Sequence, residues 1–148
     1  MLSELPIQRR LASYLSSRKY FFINTYFFKN ESDVLTFTDS GMCYEYEIKL
    51  SRSDFFSDSK KPRHKKMLQA LAKIGKTPFV ANRFYYVCPS NVIKVSEVPE
   101  YAGLIYTDTL IKEVKKAPLL HSDKHDVKRL FDKMYFAYRN RLFPREHI

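Results

Sequence analysis

Residues 32–50 read SDVLTFTDSGMCYEYEIKL, two runs of strand-forming residues on either side of a turn containing Gly41. The runs are rich in β-branched and aromatic residues, and DSG supplies turn chemistry between them, so the stretch reads as a β-hairpin. Side chains alternate across a strand, which puts Glu45, Glu47 and Lys49 on one face and Tyr44, Tyr46, Ile48 and Leu50 on the other. On the preceding strand Glu31 and Asp33 share a face in the same way. If the hairpin aligns those faces, two or more carboxylates and a lysine converge on one small patch. Like charges so close raise one another's pKa unless a cation stands between them.

The rest of the chain frames this hairpin. Upstream, Ser3 is placed to cap a helix that tolerates Pro6 in its first turn and repeats Ile7, Leu11 and Leu15 at helical spacing. YFFINTYFF, residues 20–28, then reads as a strand. Downstream, residues 51–75 have Ser53 as a candidate cap, an apolar stripe of Met67, Leu68, Leu71 and Ile74, and Gly75 as the stop, with Pro62 dividing the region into two helices. NRFYYVCP (82–89), AGLIYT (102–107) and LIKEVKK (110–116) read as further strands. Ser122 is placed to cap a last helix through Leu130, Met134, Tyr138 and Leu142. Three consecutive antiparallel strands before the long helical region predict an α/β fold with a mixed sheet flanked by helices, not a regular doubly wound one.

With 148 residues and no linker or repeat, the chain is expected to form a single domain over 1–148. Hydrophobic residues at 45% and aromatic residues at 16% exclude a disordered composition. The formal charge of +10 favours a polyanionic partner, nucleic acid before anionic membrane. No apolar run approaches a membrane span, and the N-terminal residues lack the apolar block of a signal peptide, so an intracellular, cytoplasmic setting without a membrane partner is expected. Cys43 and Cys88 sit in separate strand-like runs without C-x-x-C spacing and read as buried free thiols. His121 and His125 have the spacing of a helical metal pair, but no third ligand accompanies them. With only 3 Gly there is no phosphate loop, and no nucleophile elbow is present, which argues against ATP-driven and serine-hydrolase chemistry.

A hard divalent ion such as Mg²⁺ or Mn²⁺ relieves carboxylate repulsion with one or two acids, a backbone carbonyl and water. A neighbouring lysine then orients water and offsets charge on a reacting phosphate. An acid-x-Lys triplet is weak evidence alone, since the chain holds four. Asp58-x-Lys60 and Asp126-x-Lys128 fall in loop or helix readings, and Glu113-x-Lys115 lacks a hairpin strand carrying an acid before it. Glu47-Ile48-Lys49 alone has Asp33 behind it across a hairpin. The plainer alternative is a polar sheet face with a cross-strand salt bridge.

These residues resemble the PD-(D/E)XK nuclease superfamily: Asp33 matches its first acid, Glu47-Ile48-Lys49 its (D/E)-x-K, and Ser32 stands where its signature has Pro. More narrowly, ESDVL, YEYEIKLSRSDF, NRFYYVCP and PEYAGLIY are similar to MmcB-related DNA-repair proteins of phages and bacteria, over about residues 30–120. The resemblance implies a restriction-endonuclease-like αβββαβ core with extra C-terminal strands and a helix. It also implies a Mg²⁺- or Mn²⁺-dependent deoxyribonuclease, in a bacterial cell or phage-infected host. Asp33, Glu47 and the backbone of Ile48 would hold the ion, and Lys49 would take the catalytic lysine role. Glu45 and Glu31 are candidate supporting acids. Glu4 corresponds to an additional acid of some members, although the helix dipole already accounts for an acid there. Many members act as homodimers, which cut both strands of a duplex; the residues leave the oligomeric state open.

Candidate substrate contacts follow the catalytic strand. SKKPRHKK, residues 59–66, holds five Lys and Arg, so Lys60, Lys61, Arg63, His64, Lys65 and Lys66 are expected to meet phosphates, a solvated helix start being the alternative. Ser51, Arg52 and Ser53 are close enough to Lys49 in sequence to reach a neighbouring phosphate. Arg139, Arg141 and Arg145 add positive charge near the C-terminus, for which a solvated helix end is the better reading. DNA is the expected polymer, with RNA open. A nucleic-acid-binding module that does not cut, or a host-interaction protein with an incidental acidic face, are the competing readings.

Overall fold

The computed structural model describes residues 3–74, 77 and 79–143; Gly75 and Arg145 lie outside the described residues. The elements are α1 (Leu5–Tyr14), β1 (Tyr20–Thr25), β2 (Ser32–Phe37), β3 (Cys43–Ile48), α2 (Arg52–Asp58), α3 (Pro62–Leu71), β4 (Arg83–Cys88), β5 (Ala102–Tyr106), β6 (Lys112–Lys115) and α4 (Val127–Asn140). The strands form one sheet in chain order, parallel at β3–β4 and β4–β5 and antiparallel elsewhere. This is the mixed α/β, restriction-endonuclease-like arrangement expected from the sequence. Helices α2 and α3 form the crossover between the parallel strands β3 and β4.

The β2–β3 hairpin closes through Gly41, whose φ is +88°. Its amide donates to the Thr38 carbonyl at 3.1 Å, and Thr38 N donates to Met42 O at 2.9 Å. Pro62 starts α3, where its missing N–H has no helical partner to lose. One sheet face is covered by α1, with Ile7, Leu11 and Leu15 against Val34, Tyr46, Ile48, Val87 and Ile105. On the opposite face, α2 and α3 pack Phe55, Met67 and Ala70 against Phe84, Tyr86, Cys88 and Leu104. Cys43 and Cys88 are buried free thiols, and burial raises both, Cys88 to about 12. No helix among the described residues is long and apolar enough to cross a membrane.

Several boundaries differ from the expected ones for local reasons. Strand β1 stops at Thr25, and Phe27 and Phe28 turn into a cluster with Leu35, Phe37 and Leu130. Ser51, not Ser53, caps α2, its Oγ accepting from Asp54 N at 3.2 Å. Helix α3 ends before Gly75: Lys73 takes φ +61°, Ile74 N bonds Gln69 O at 2.9 Å and Lys73 N bonds Ala70 O at 2.9 Å. That pair of bonds is a Schellman termination built on lysine. Helix α4 starts at Val127 under an Asp126 cap rather than at Ser122. The preceding segment is held by Leu120 N to Asn82 O at 2.8 Å and His125 N to Gly41 O at 3.0 Å. Of the α4 stripe only Leu130 is buried, while Met134, Tyr138 and Leu142 are exposed.

One contact from α1 positions the start of β2. Asn24 adopts φ +50°, a conformation asparagine tolerates better than most residues. The buried Gln8 amide donates to Asn24 Oδ1 at 3.0 Å and to the Asp33 carbonyl at 3.1 Å. Replacing Gln8→Ala leaves that carbonyl without its donor and is expected to lower unfolding free energy by about 1–3 kcal/mol. Urea denaturation, with an unchanged m-value, checks it.

Candidate functional site

The β2–β3 register pairs Val34 with Tyr46, so one step further Asp33 lies opposite Glu47. Asp33 Oδ2 accepts a hydrogen bond from Ile48 N at 2.8 Å, which ties the first acid to the strand carrying the second. The amide of Ile48 is therefore the group that meets Asp33. Two residues beyond Glu47, Lys49 leaves the end of β3 and its ammonium donates to Glu47 Oε1 at 3.2 Å. Asp33, Glu47 and Lys49 are each at most 9% exposed, so the trio is nearly shut off from bulk water.

Helices α2 and α3 close the cluster from the other side. Asp58, at the end of α2 and 1% exposed, lies 3.5 Å from Lys49 Nζ, and Asp54 lies 3.8 Å from the same nitrogen. Arg63 Nη2 spans both Asp58 oxygens at 3.1 Å and stands 3.2 Å from Glu47 Oε2. Its Nη1 is 3.5 Å from Glu45 Oε2. His64 Nε2 meets Asp58 Oδ2 at 2.8 Å, and Tyr101 Oη meets His64 Nδ1 at 2.7 Å. Burial opposes ionisation of Asp58, yet the His64 hydrogen bond and the Arg63 and Lys49 charges outweigh it and hold the carboxyl below its ordinary range. Burial likewise works against the Arg63 charge, but Glu45, Glu47 and Asp58 together raise its pKa.

Balance is less complete at the hairpin. Burial, and after it the Glu47 charge, push the Asp33 carboxyl up to about 8. Burial and Glu47 also raise Glu4, which approaches Asp33 from the start of α1. Glu47 Oε2 is buried and accepts no hydrogen bond among the described residues, Arg63 standing beside it only as an ion pair. A cluster with one carboxyl raised by burial and a neighbouring charge, and one buried carboxylate oxygen without a hydrogen bond, fits a hard divalent cation in its donor chemistry. Among the described residues no group of three or more His, Cys, Asp or Glu side chains forms a metal cage. Mg²⁺ does not need one, because water and substrate phosphates complete its shell.

The remaining predicted site residues divide sharply. Glu45 is buried on the same face as Glu47, accepts from Ser32 Oγ and from Asn30 Nδ2, and is raised by burial. Glu31 is exposed and outside β2, so it does not join the site. His64 is buried against Asp58 and Tyr101, which corrects its expected role as a phosphate contact. Arg63 is committed to three acids rather than free for solvent phosphates. Ser51 is a helix cap whose Oγ lies 3.2 Å from Ser53 Oγ. Arg52 forms a two-pronged pair with Glu97 at 2.9 and 2.7 Å. Lys60, Lys61 and Lys65 remain exposed, Lys61 pairing with Asp58 at 3.1 Å, and Lys66 is half-buried. His121 and His125 are not a helical pair: residues 121–126 are irregular, and His121 Nε2 donates to Val80 O at 2.6 Å. Asp58, with Asp54 beside it, is what sequence reading of the site missed. Its signal was the four-residue spacing from Asp54 in a helix directly after Lys49.

No protein-family model and no curated protein matches the chain. Among solved structures the fold is similar to that of the SPO1766 protein of unknown function from Silicibacter pomeroyi. The TM-score is 0.58 at 20% identity, covering 92% of this chain and 83% of that one. At that identity the likeness is one of fold.

Two stability outcomes follow. Because the folded pKa of Asp33 lies above its unfolded value of 3.8, the native state binds the extra proton between about pH 4 and 8, and stability falls as pH rises through that window. In metal-free buffer at alkaline pH, Asp33→Asn is expected to stabilise the protein by about 1–3 kcal/mol and to flatten the fall, as read by denaturation across pH. Asp58→Asn removes one of the three acids that face each of Lys49 and Arg63 and the one acid that faces His64, and a loss of about 3–5 kcal/mol is expected in the same assay.

Proposed function

We propose that the chain is a divalent-metal-dependent nuclease that hydrolyses phosphodiester bonds in DNA. The observation that carries this reading is the buried opposition of Asp33 and Glu47 across one hairpin, with the Lys49 ammonium 3.2 Å from Glu47 Oε1. The net charge of +10 suits a polyphosphate substrate.

In this reading Asp33, Glu47 and the backbone carbonyl of Ile48 would hold Mg²⁺ or Mn²⁺. When bound, the ion supplies charge neutralisation at a phosphate and acidifies water. Lys49 keeps a fixed positive charge beside Glu47, orients the attacking water and offsets negative charge as it grows on the phosphate. Water adds to phosphorus and gives up a proton, one ester P–O bond breaks, and the departing alkoxide oxygen takes up a proton to leave as the alcohol. Asp54 and Asp58 hold the lysine against the site, and Gln8 holds the backbone of Asp33.

A second reading is favoured by one specific contact. Arg63 already stands 3.2 Å from Glu47 and 3.5 Å from Glu45, so the acids have a protein cation of their own. A non-cutting nucleic-acid-binding module would keep that arrangement permanently.

Cleavage of labelled plasmid, linear, single-stranded and branched DNA in Mg²⁺ or Mn²⁺, against EDTA, decides between them. Metal-dependent cutting that falls at least about 100-fold in both Lys49→Ala and Asp33→Ala is expected. Circular dichroism confirms that both variants fold. Absence of cutting by the wild type, with salt-sensitive DNA binding intact, would replace the nuclease with the binding module.

A further inference from the structure

A cleft of about 290 Å³ opens beside the carboxylate cluster, lined by Lys29, Lys61, Arg63, Lys66 and Phe79. Four cations and an aromatic ring share this small space, with no acidic side chain on its wall. Phe79 is 40% exposed and belongs to none of the clusters that pack the two sheet faces, so its ring is open to the cleft. Lys29 Nζ lies 4.6 Å from its ring centroid and Lys66 Nζ 6.0 Å from it. Among the described residues, neither lysine makes an ion pair. Asn30, also on the wall, donates to Glu45, and Arg63 touches Glu47, so the cleft and the carboxylate cluster share a partition.

We propose that this cleft binds an unpaired stretch of nucleic acid flanking the phosphate at the Asp33–Glu47 site, with Phe79 stacking on one base and Lys29, Lys61 and Lys66 meeting backbone phosphates. The position of the scissile phosphate rests on the nuclease reading; the cleft's own binding does not. The chemistry selects the ligand. Lys29 and Lys66 have no acidic partner among the described residues and Lys61 keeps an exposed ammonium beside Asp58, which suits phosphates, and an exposed ring bounded by cations suits a base, whose π-face is available only when it leaves the duplex stack. The lysines beside the ring swing to the flanking phosphates when the base takes their place, because lysine is a flexible point charge. Arg63 then separates the bound strand from Glu45 and Glu47, preventing phosphate and carboxylate from facing each other directly. A fully paired duplex presents phosphates to the lysines but no free base to Phe79, so it is the weaker ligand.

Fluorescence anisotropy in EDTA tests this with the full chain, using a short labelled single strand and a blunt duplex of the same sequence. The single strand is expected to bind more tightly. Phe79→Ala should weaken strand binding about tenfold and leave the duplex unchanged, while Phe79→Trp retains strand binding. Replacing Lys29 and Lys66 together by Ala should lower the salt slope for the strand by about 1 to 2. Equal affinity for strand and duplex, or indifference to Phe79→Ala, overturns the assignment. Metal-dependent cutting of duplex together with that indifference would leave the nuclease reading standing alone. Phe79-dependent strand binding without cutting in either metal would uphold the cleft and remove the nuclease.

Discussion

Lys49 carries a full positive charge into a place where it is 3% exposed, and much of the surrounding structure follows from the need to balance it. An isolated ammonium there would be expelled or neutralised. Glu47 answers from the same strand, and Asp54 and Asp58 answer from the helix that begins immediately afterwards. Asp58 then needs more than a lysine, and Arg63 and His64 at the start of α3 complete its shell. A single strand end thereby dictates where two helices must lie, which is also where the crossover to β4 needs them.

The site differs in character between its two halves. Asp58 faces Lys49, Lys61, Arg63 and His64 together, and Arg63 in turn faces three acids, so the charges on that side are balanced. At Asp33 and Glu47 hydrogen-bond donors reach only some of the carboxylate oxygens, leaving one carboxyl raised to about 8 and one buried oxygen without a hydrogen bond. Buried networks of this type are normally completed. An incomplete one beside a complete one concentrates the unsatisfied charge at one place, the open end of the hairpin.

Much of this was legible in residues 32–50. Alternation placed Glu45, Glu47 and Lys49 on one face, Gly41 set the turn, and Pro62 announced that the helical crossover comes in two pieces. What escaped was the fate of the basic run at 59–66. In sequence, Arg63 and His64 are indistinguishable from Lys60 and Lys65. Helical phase turns the first pair inward onto Asp58, while Lys60 and Lys65 remain exposed. The acids that attract Arg63 come from strand β3 and helix α2, so no local window contains the reason. Similarly, Ser53 and Ser122 have cap chemistry, but neighbours won: Ser51 at one helix and Asp126 at the other.

The two cysteines give the site strands a built-in reporter. Cys43 opens β3 and Cys88 closes β4, and both are fully buried thiols whose pKa burial has raised. Alkylating reagents attack the thiolate, so the native chain resists them until these strands part. The rate of thiol labelling then measures how often the central parallel pair of the sheet opens, a clock running inside the scaffold that holds Glu47 and Lys49.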